Sequence, residues 1–581
     1  MKEKIFSIIF GRLKLPSILE LKLALRGLYK WEKLALLGFS LILAVGLLGM
    51  WTELQKKFAL VVPVEGGLIR EGVIGTPQLV NPVLASTDAD RDLTALIYSG
   101  LMKPDGRGGL EKDLAESYSI SEDGLEYTFT LKENLSWHDG EKLTSEDIAF
   151  TIQAVRVPAI KSPARANWEG VEVEIVDPRQ VRFLLKKPYA PFLENAILGI
   201  LPKHIWNTAT PEQFSLSEFN REPLGAGPYR VDKVRRNSAG IITMYELKSF
   251  KDYALGRPLI PKIEILFYNS ASDIVSAFER GDINAVSSIS AENEKRLRLS
   301  GATIKKLVLP RVFGVFFNQN KSEVLRDQAV RKSLNLATDR EALVRDVLGG
   351  YGVALKGPIP HTILDPKENA DGVQFGLEEA KAELEKAGWK TNDEGIRQKK
   401  KSAKENLALT LAIATANTPE LVKSAEMLKS MWQELGAKVE LKFFEIGDLN
   451  QNVIRPREYE GLLFGQVIGR DPDPFPFWHS SQRNDPGLNI ALYANKTADS
   501  LIEAARAESD AEKRKEKYAD FQKEVEKDLP AIFLYSPYYL YVADPDLKGF
   551  DTEMITTPAE RFANVYRWHL YTSRVWKIFI R

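Results

Sequence analysis

Histidine, cysteine and paired acids carry most protein chemistry, and their distribution in this chain argues against catalysis. His138, His204, His361, His479 and His569 are scattered, with no His-Glu-x-x-His or comparable zinc spacing. Cysteine is absent, which excludes disulfides, thiolate metal sites, a cysteine nucleophile and lipid attachment through a cysteine. Neither a Gly-x-Ser-x-Gly elbow nor a Gly-x-x-x-x-Gly-Lys phosphate loop occurs, and Gly106-Arg107-Gly108-Gly109 lacks the dinucleotide spacing. Acids are too common for sequence alone to single out a catalytic pair. The expectation is therefore no enzyme, no cofactor and no metal. What remains is one charged, proline-locked turn, Gly469-Arg470-Asp471-Pro472-Asp473-Pro474, whose place in the chain suggests a binding site.

That place is set by the elements before it. Leu407, Leu409, Leu411 and Ile413 alternate as a strand, and Thr418-Pro419 is a helix cap followed by proline at the first helical position. Leu421, Ala425, Leu428, Trp432 and Leu435 form one helical stripe ending at Gly436, after which Val439, Leu441 and Phe443 alternate again. Strand, helix and strand with short loops predict a parallel pair in an open α/β sheet. Ligands of such sheets lie at the carboxyl ends of the strands, where the next expected strand, Tyr459 to Ile468, delivers the turn. Elsewhere Glu126–Lys132 alternates as a strand, and Thr144-x-x-Asp147 caps a helix over Ser145–Val155. Ser509-x-x-Glu512 caps another, with Tyr518, Phe521, Val525 and Leu529 as its core stripe. Ala531 to Val542 reads as a buried strand interrupted at Pro537.

The length of 581 residues allows three or four domain-sized units or two large lobes. With 79 Lys plus Arg against 79 Asp plus Glu there is no broad positive field, and no nucleic-acid partner is expected. Residues 34–51 carry no charge and make about 27 Å of helix, close to the hydrocarbon thickness. Residues 1–33 hold eight Lys/Arg against three Glu, which the positive-inside rule keeps in the cytoplasm. The expectation is a single-pass anchor at 34–51 with the bulk of the chain extracytoplasmic. A cleaved signal peptide is the competing reading, although no small-x-small site follows Trp51.

Several segments, taken in order, resemble the bacterial extracellular solute-binding proteins of the peptide/nickel type, family 5. They are Asp92 to Met102 (DLTALIYSGLM), Leu114 to Ser117, Tyr127 to Lys132 leading to Trp137-His138-Asp139-Gly140, and Asp147 to Thr151. Further on stand Gly225-Ala226-Gly227-Pro228-Tyr229, Gly281-Asp282-Ile283, Phe317-Asn318, Val330-Arg331, Ala337 to Arg340 and Ala387-Gly388-Trp389. Asp471 to Pro474 with Trp478-His479-Ser480, Asn489, Tyr493 and Asn495 is similar to the family's cleft-side loop.

The resemblance implies a two-lobed periplasmic-binding-protein-like clamp of type II, cluster C, behind the membrane helix. It divides the chain into a basic segment 1–33, the anchor 34–51, a tether 52–66, a first lobe 67–310 completed by 539–581, and a second lobe 311–538. Two strands, near Leu309–Phe317 and Tyr535–Val542, would cross between lobes. It further implies a monomer that captures oligopeptides by lobe closure and delivers them to the transmembrane subunits of an ABC permease. A peptide would lie along the backbone of Gly465, Gln466, Val467 and Ile468 as an added strand. Asp471, or second Asp473, would meet the ligand's amino terminus, unless both merely shape the turn. Arg470 could face a ligand carboxylate; Trp478 either walls the cleft or is core, and Asn318 either bonds the ligand or holds the crossing strand. His138 and Asp139 read as a structural turn. Rival readings are a tethered sensor or scaffold, a binder of nickel, haem or oligosaccharide, and a hydrolase with an unrecognised carboxylate pair.

Overall fold

Leu411 and Ile413 bury one face of strand Thr410–Ala416, and the chain turns at once into helix Pro419–Glu434 behind its Thr418 cap. The helix lays Leu421, Ala425, Leu428 and Trp432 on the sheet, and Gly436, at φ +93°, takes the left-handed conformation that releases the chain. Strand Lys438–Phe444 then returns parallel to the first. The expected single strand from Leu407 is in fact two. Leu409 donates its N–H to Arg397, so Asn406–Ala408 pairs with Arg397–Lys400 while Thr410–Ala416 joins the main sheet.

The computed structural model describes residues 17–299, 301–364, 375–402 and 405–576. These form two units, the residues up to Val64 with Tyr571–Trp576, and Glu65–Leu570. In the larger unit one mixed sheet runs, edge to edge, through Lys438–Phe444, Thr410–Ala416, Gly461–Val467, Arg311–Phe317, Ala531–Ala543, Ala285–Val286, Leu68–Ile74, Lys262–Tyr268, Ile242–Ser249 and Tyr229–Arg236. Two large cores lie against it. One spans Ile69 to Leu309 and resumes from Tyr539 to Trp568; the other spans Val312 to Tyr535. This is the α/β two-lobed clamp.

The long strand Ala531–Ala543 belongs to both cores. Its first half pairs with Arg311–Phe317 and its second half with Thr303–Val308, both antiparallel. Pro537 does not interrupt it. The proline falls where one partner strand gives way to the other, between the pairs Phe313–Tyr535 and Val308–Tyr538, so its missing N–H costs no ladder bond on that side.

Local signals elsewhere give helix Ser145–Arg156, with Asp147 accepting the Thr144 N–H at 2.9 Å, and helix Ala511–Asp528. The latter is capped by Asp510 rather than Ser509: the Asp510 carboxylate accepts the Glu512 and Lys513 amides at 2.9 and 3.2 Å, the stronger acceptor one residue later.

In the smaller unit helix Lys30–Phe58 contains the apolar run, and its Lys30–Glu53 part is long and apolar enough to cross a membrane. It passes directly into strand Ala59–Val64, which pairs antiparallel with Tyr571–Trp576. Part of the expected tether is thus helix and paired strand.

Candidate functional site

Strand Gly461–Val467 has one covered edge and one that is only partly covered. On one side it pairs along its whole length with Arg311–Phe317. On the other it meets Thr410–Ala416 at residues 461–463 only, because that strand ends where Thr418-Pro419 starts the helix. Asn318 N–H to Glu460 O and Ile468 N–H to Pro310 O, both 2.8 Å, fix the alternation. Even-numbered residues bond the crossing strand, and Gly465 and Val467 turn their amide and carbonyl groups to the uncovered edge. Gly465 is required here by space: a Cβ would stand 2.7 Å from the Phe313 ring. Gln466 is 4% exposed, yet neither its Oε1 nor its Nε2 has a hydrogen-bond partner in the protein. A buried amide left so is costly unless something else satisfies it.

The charged turn that follows is already paired. Arg470 is buried and forks between two carboxylates of the other core's segments, Nη1 to Glu194 Oε2 and Nη2 to Glu560 Oε2, each 2.6 Å. Burial, only partly offset by the Arg470 charge, pushes the Glu194 carboxyl up to about 6. Glu560 also receives the Thr556 N–H at 2.8 Å. Asp471 pairs with Arg514 at 3.0 Å and accepts the Tyr518 hydroxyl at 2.9 Å. Asp473 pairs with Arg506 at 3.0 Å and accepts the Phe475 N–H at 3.1 Å; burial raises its pKa. The Arg506 guanidinium also lies over Phe475 at 4.2 Å and, from the other lobe, Tyr189 at 5.0 Å. Burial, then the Asp473 charge, pushes the Tyr189 hydroxyl up to about 12.

A ligand ammonium at Asp471 or Asp473 would have to displace an arginine, and a ligand carboxylate at Arg470 would have to displace two glutamates. Trp478 is 1% exposed and packs with Phe533, Phe316 and Tyr493 in the second core. Asn318 is spent on structure, donating to Arg457 O in a loop 139 residues away at 2.9 Å and accepting the Asn320 N–H of its own turn at 3.1 Å. His138 is a structural residue: its ring bonds Gly227 O and accepts the Gly225 N–H, and burial lowers its pKa to about 4. No motif or spacing marks Glu194, Glu560, Tyr189, Arg506 or Arg514 as site residues. Glu194 lies 276 residues from its partner, and no local pattern marks such a pair.

Two cavities flank this junction. One of about 320 Å³ is lined by first-core residues, among them Tyr98, Met102, Tyr253, Phe562 and Glu560, the partner of Arg470. The other, about 700 Å³, brings Ser288 and Tyr539 together with Arg311, Phe313, Thr418 and Glu420. Among the described residues no group of three His, Cys, Asp or Glu side chains could hold a metal.

Two lobes on a shared crossing strand, cavities at their junction and a charged turn linking them define a solute-binding clamp. The chain belongs to the bacterial extracellular solute-binding proteins, family 5 (Middle), whose model matches residues 109–487. The oligopeptide-binding protein AppA of Bacillus subtilis (strain 168) is 29% identical over 521 residues, covering 87% of this chain and 92% of its own. The solved structure of Bacillus subtilis AppA in complex with a nonapeptide matches 88% of this chain and 100% of its own, at 27% identity and a TM-score of 0.67. That of NikZ from Campylobacter jejuni in complex with Ni(L-His) covers 86% and 99%, at 28% identity and a TM-score of 0.69.

Proposed function

We propose that this protein is the membrane-tethered receptor of an ABC peptide importer, capturing an extended oligopeptide between its lobes and presenting it to the permease. The observation that carries the reading is the uncovered edge at Gly465 and Val467. A peptide backbone there completes a strand ladder whatever its side chains, and the unpartnered amide of Gln466 adds one polar contact. The likeness to a nonapeptide-bound relative supports the same class of ligand. Asp471 and Asp473 hold the turn in shape, and Arg470 links the lobes in the closed arrangement that ligand favours. Residues 34–51 keep the receptor at the outer face of the membrane, where confinement raises its effective concentration at the permease. A mixed peptide library presented to the full-length protein should leave a bound set identifiable by mass spectrometry. Replacing amides of a bound peptide one at a time with esters should then weaken binding at the positions facing Gly465 and Val467. Uniform tolerance to ester replacement, or retention of no peptide at all, would refute the reading.

A further inference from the structure

The smaller unit carries a feature that a simple tether does not need. Helix Lys30–Phe58 enters strand Ala59–Val64 with no residue between, and the chain's last described strand, Tyr571–Trp576, returns beside it so that Trp576 lies opposite Ala59. The Trp576 ring stacks parallel to Phe58 at 6.4 Å and meets Trp51 at 5.8 Å. Trp51 ends the uncharged run, so this cluster sits at the end of the span, with Trp576 contributed from more than 500 residues away. Trp51, Phe58 and Leu60 are all exposed, at 54%, 43% and 45%. Lys57, which lies 5.9 Å over the Phe58 ring, and Arg574, paired in register with Val61, are exposed cations beside them.

Two arguments converge on what covers these residues. A lone two-stranded ribbon is marginal in water, and this one shows apolar side chains to solvent along its first strand. Seven residues from Thr52 to Phe58 rise at most ~10 Å beyond the span, and less along the membrane normal in a tilted helix, so the near end of the ribbon meets the headgroup layer, with Trp576 reaching back to Trp51. Indole rings and basic residues at that depth are the composition of a membrane–water interface, the cations matching lipid phosphates. We propose that the near end of the ribbon, with Trp51, Phe58, Leu60 and Trp576, is a second membrane contact seated in the phospholipid headgroup layer. The chain is then held to the bilayer by a span and a paired-strand collar rather than by a span and a free linker.

The inference rests on residues 34–51 spanning the membrane, and the absence of cysteine makes both testable in one chain. Single cysteines at Leu60, at Leu43 within the span and at Lys187 on the large unit would carry spin labels in nanodiscs of phosphatidylcholine and phosphatidylglycerol. Relative accessibility to oxygen and to a water-soluble nickel chelate reports depth. The Leu60 label should show an oxygen-to-nickel ratio at least about twofold above that at Lys187 but below that at Leu43, as expected within the headgroup layer. Trp576→Ser should move the Leu60 label toward the Lys187 value. A Leu60 label as wet as Lys187, with Leu43 deep in hydrocarbon, overturns the collar and leaves the anchor standing. A Leu43 label exposed to water overturns both.

Discussion

Replacing Arg470 with methionine tests whether the link between lobes holds the closed form. The side chain is 4% exposed and bridges Glu194 and Glu560, at 28% and 9% exposure, across the junction. Methionine keeps most of the stem volume and removes the charge, leaving a largely buried Glu560 and a half-buried Glu194 facing one another. Removing one partner from a buried ionic cluster costs about 3–5 kcal/mol. Because Glu194 can escape into water when the lobes part, much of that cost falls on the closed form alone. Taking the lower figure, the closed-to-open ratio drops by ~150-fold, and peptide affinity falls with it to the extent that closure is required for binding. Spin labels on cysteines at Glu174 and Glu440, exposed positions on the two lobes, would read the interlobe distance by pulsed electron resonance. Wild type should give a short-distance population that ligand strengthens, and Arg470→Met a broader, longer one. Adding Glu194→Gln and Glu560→Gln to Arg470→Met removes the stranded charges and should return part of the short population. If Arg470→Met leaves both the distance distribution and the affinity unchanged, the fork contributes nothing to closure and the reasoning fails.

Glu194 also gives a pH signature. Its folded pKa of about 6 lies above the ordinary 4.5, so the folded state binds the extra proton, and stability from this group is full below about 4.5 and lost as pH rises through about 6. Glu194→Gln should remove that component, flattening the difference in melting temperature between the two ends of the window; an identical pH profile in the variant would contradict it, and working by difference cancels His138 and Asp113, which titrate nearby. Val467→Pro removes an amide from the uncovered edge while the ladder to Arg311–Phe317 keeps its bonds. Peptide affinity should fall about tenfold, one hydrogen bond's worth, with only a few degrees' change in melting temperature; unchanged affinity in calorimetry would exclude edge recognition. Gln466→Leu should act with opposite signs, raising thermal stability of the free protein by removing an unpartnered buried amide and lowering peptide affinity; a loss of both would show that the amide is structural.

What was legible in the sequence was what is local. The helix at Pro419 follows from its cap, its proline, a stripe at spacings of three and four, and a glycine past its end, all within about twenty residues. Thr144 and Asp147 likewise announce a helix in four residues. The misses share one physical cause. Leu409 continues an alternating pattern that periodicity cannot split, because the break is a change of partner strand. Pro537 looks like a stop, since a proline's missing donor matters only if a neighbour needs it, and which neighbour stands there is a tertiary fact. The acids of the turn posed the same problem in electrostatic form. Asp471 and Asp473 are types a ligand amine would choose, but residue type does not reveal that Arg514 and Arg506, from helices packed alongside, reach them first.

The uncovered edge lies between these cases. A strand before the turn was readable, and so was the Thr418-Pro419 start that forces its neighbour to end by Ala416. Only the register, which sets Ile413 opposite Gly461, turns those two readings into a free stretch at Gly465 and Val467. One residue of slip would exchange the bonded and free sets, offering Gln466 to a ligand instead and turning its side chain to the other face of the sheet. Glycine at 465 guards against that exchange: the Phe313 ring occupies the space of its missing Cβ, so that ring and backbone interlock in one register. The same small residue therefore fixes the strand and leaves its edge narrow enough for a second backbone to approach, which is why binding is expected to be indifferent to ligand side chains yet sensitive to ligand amides.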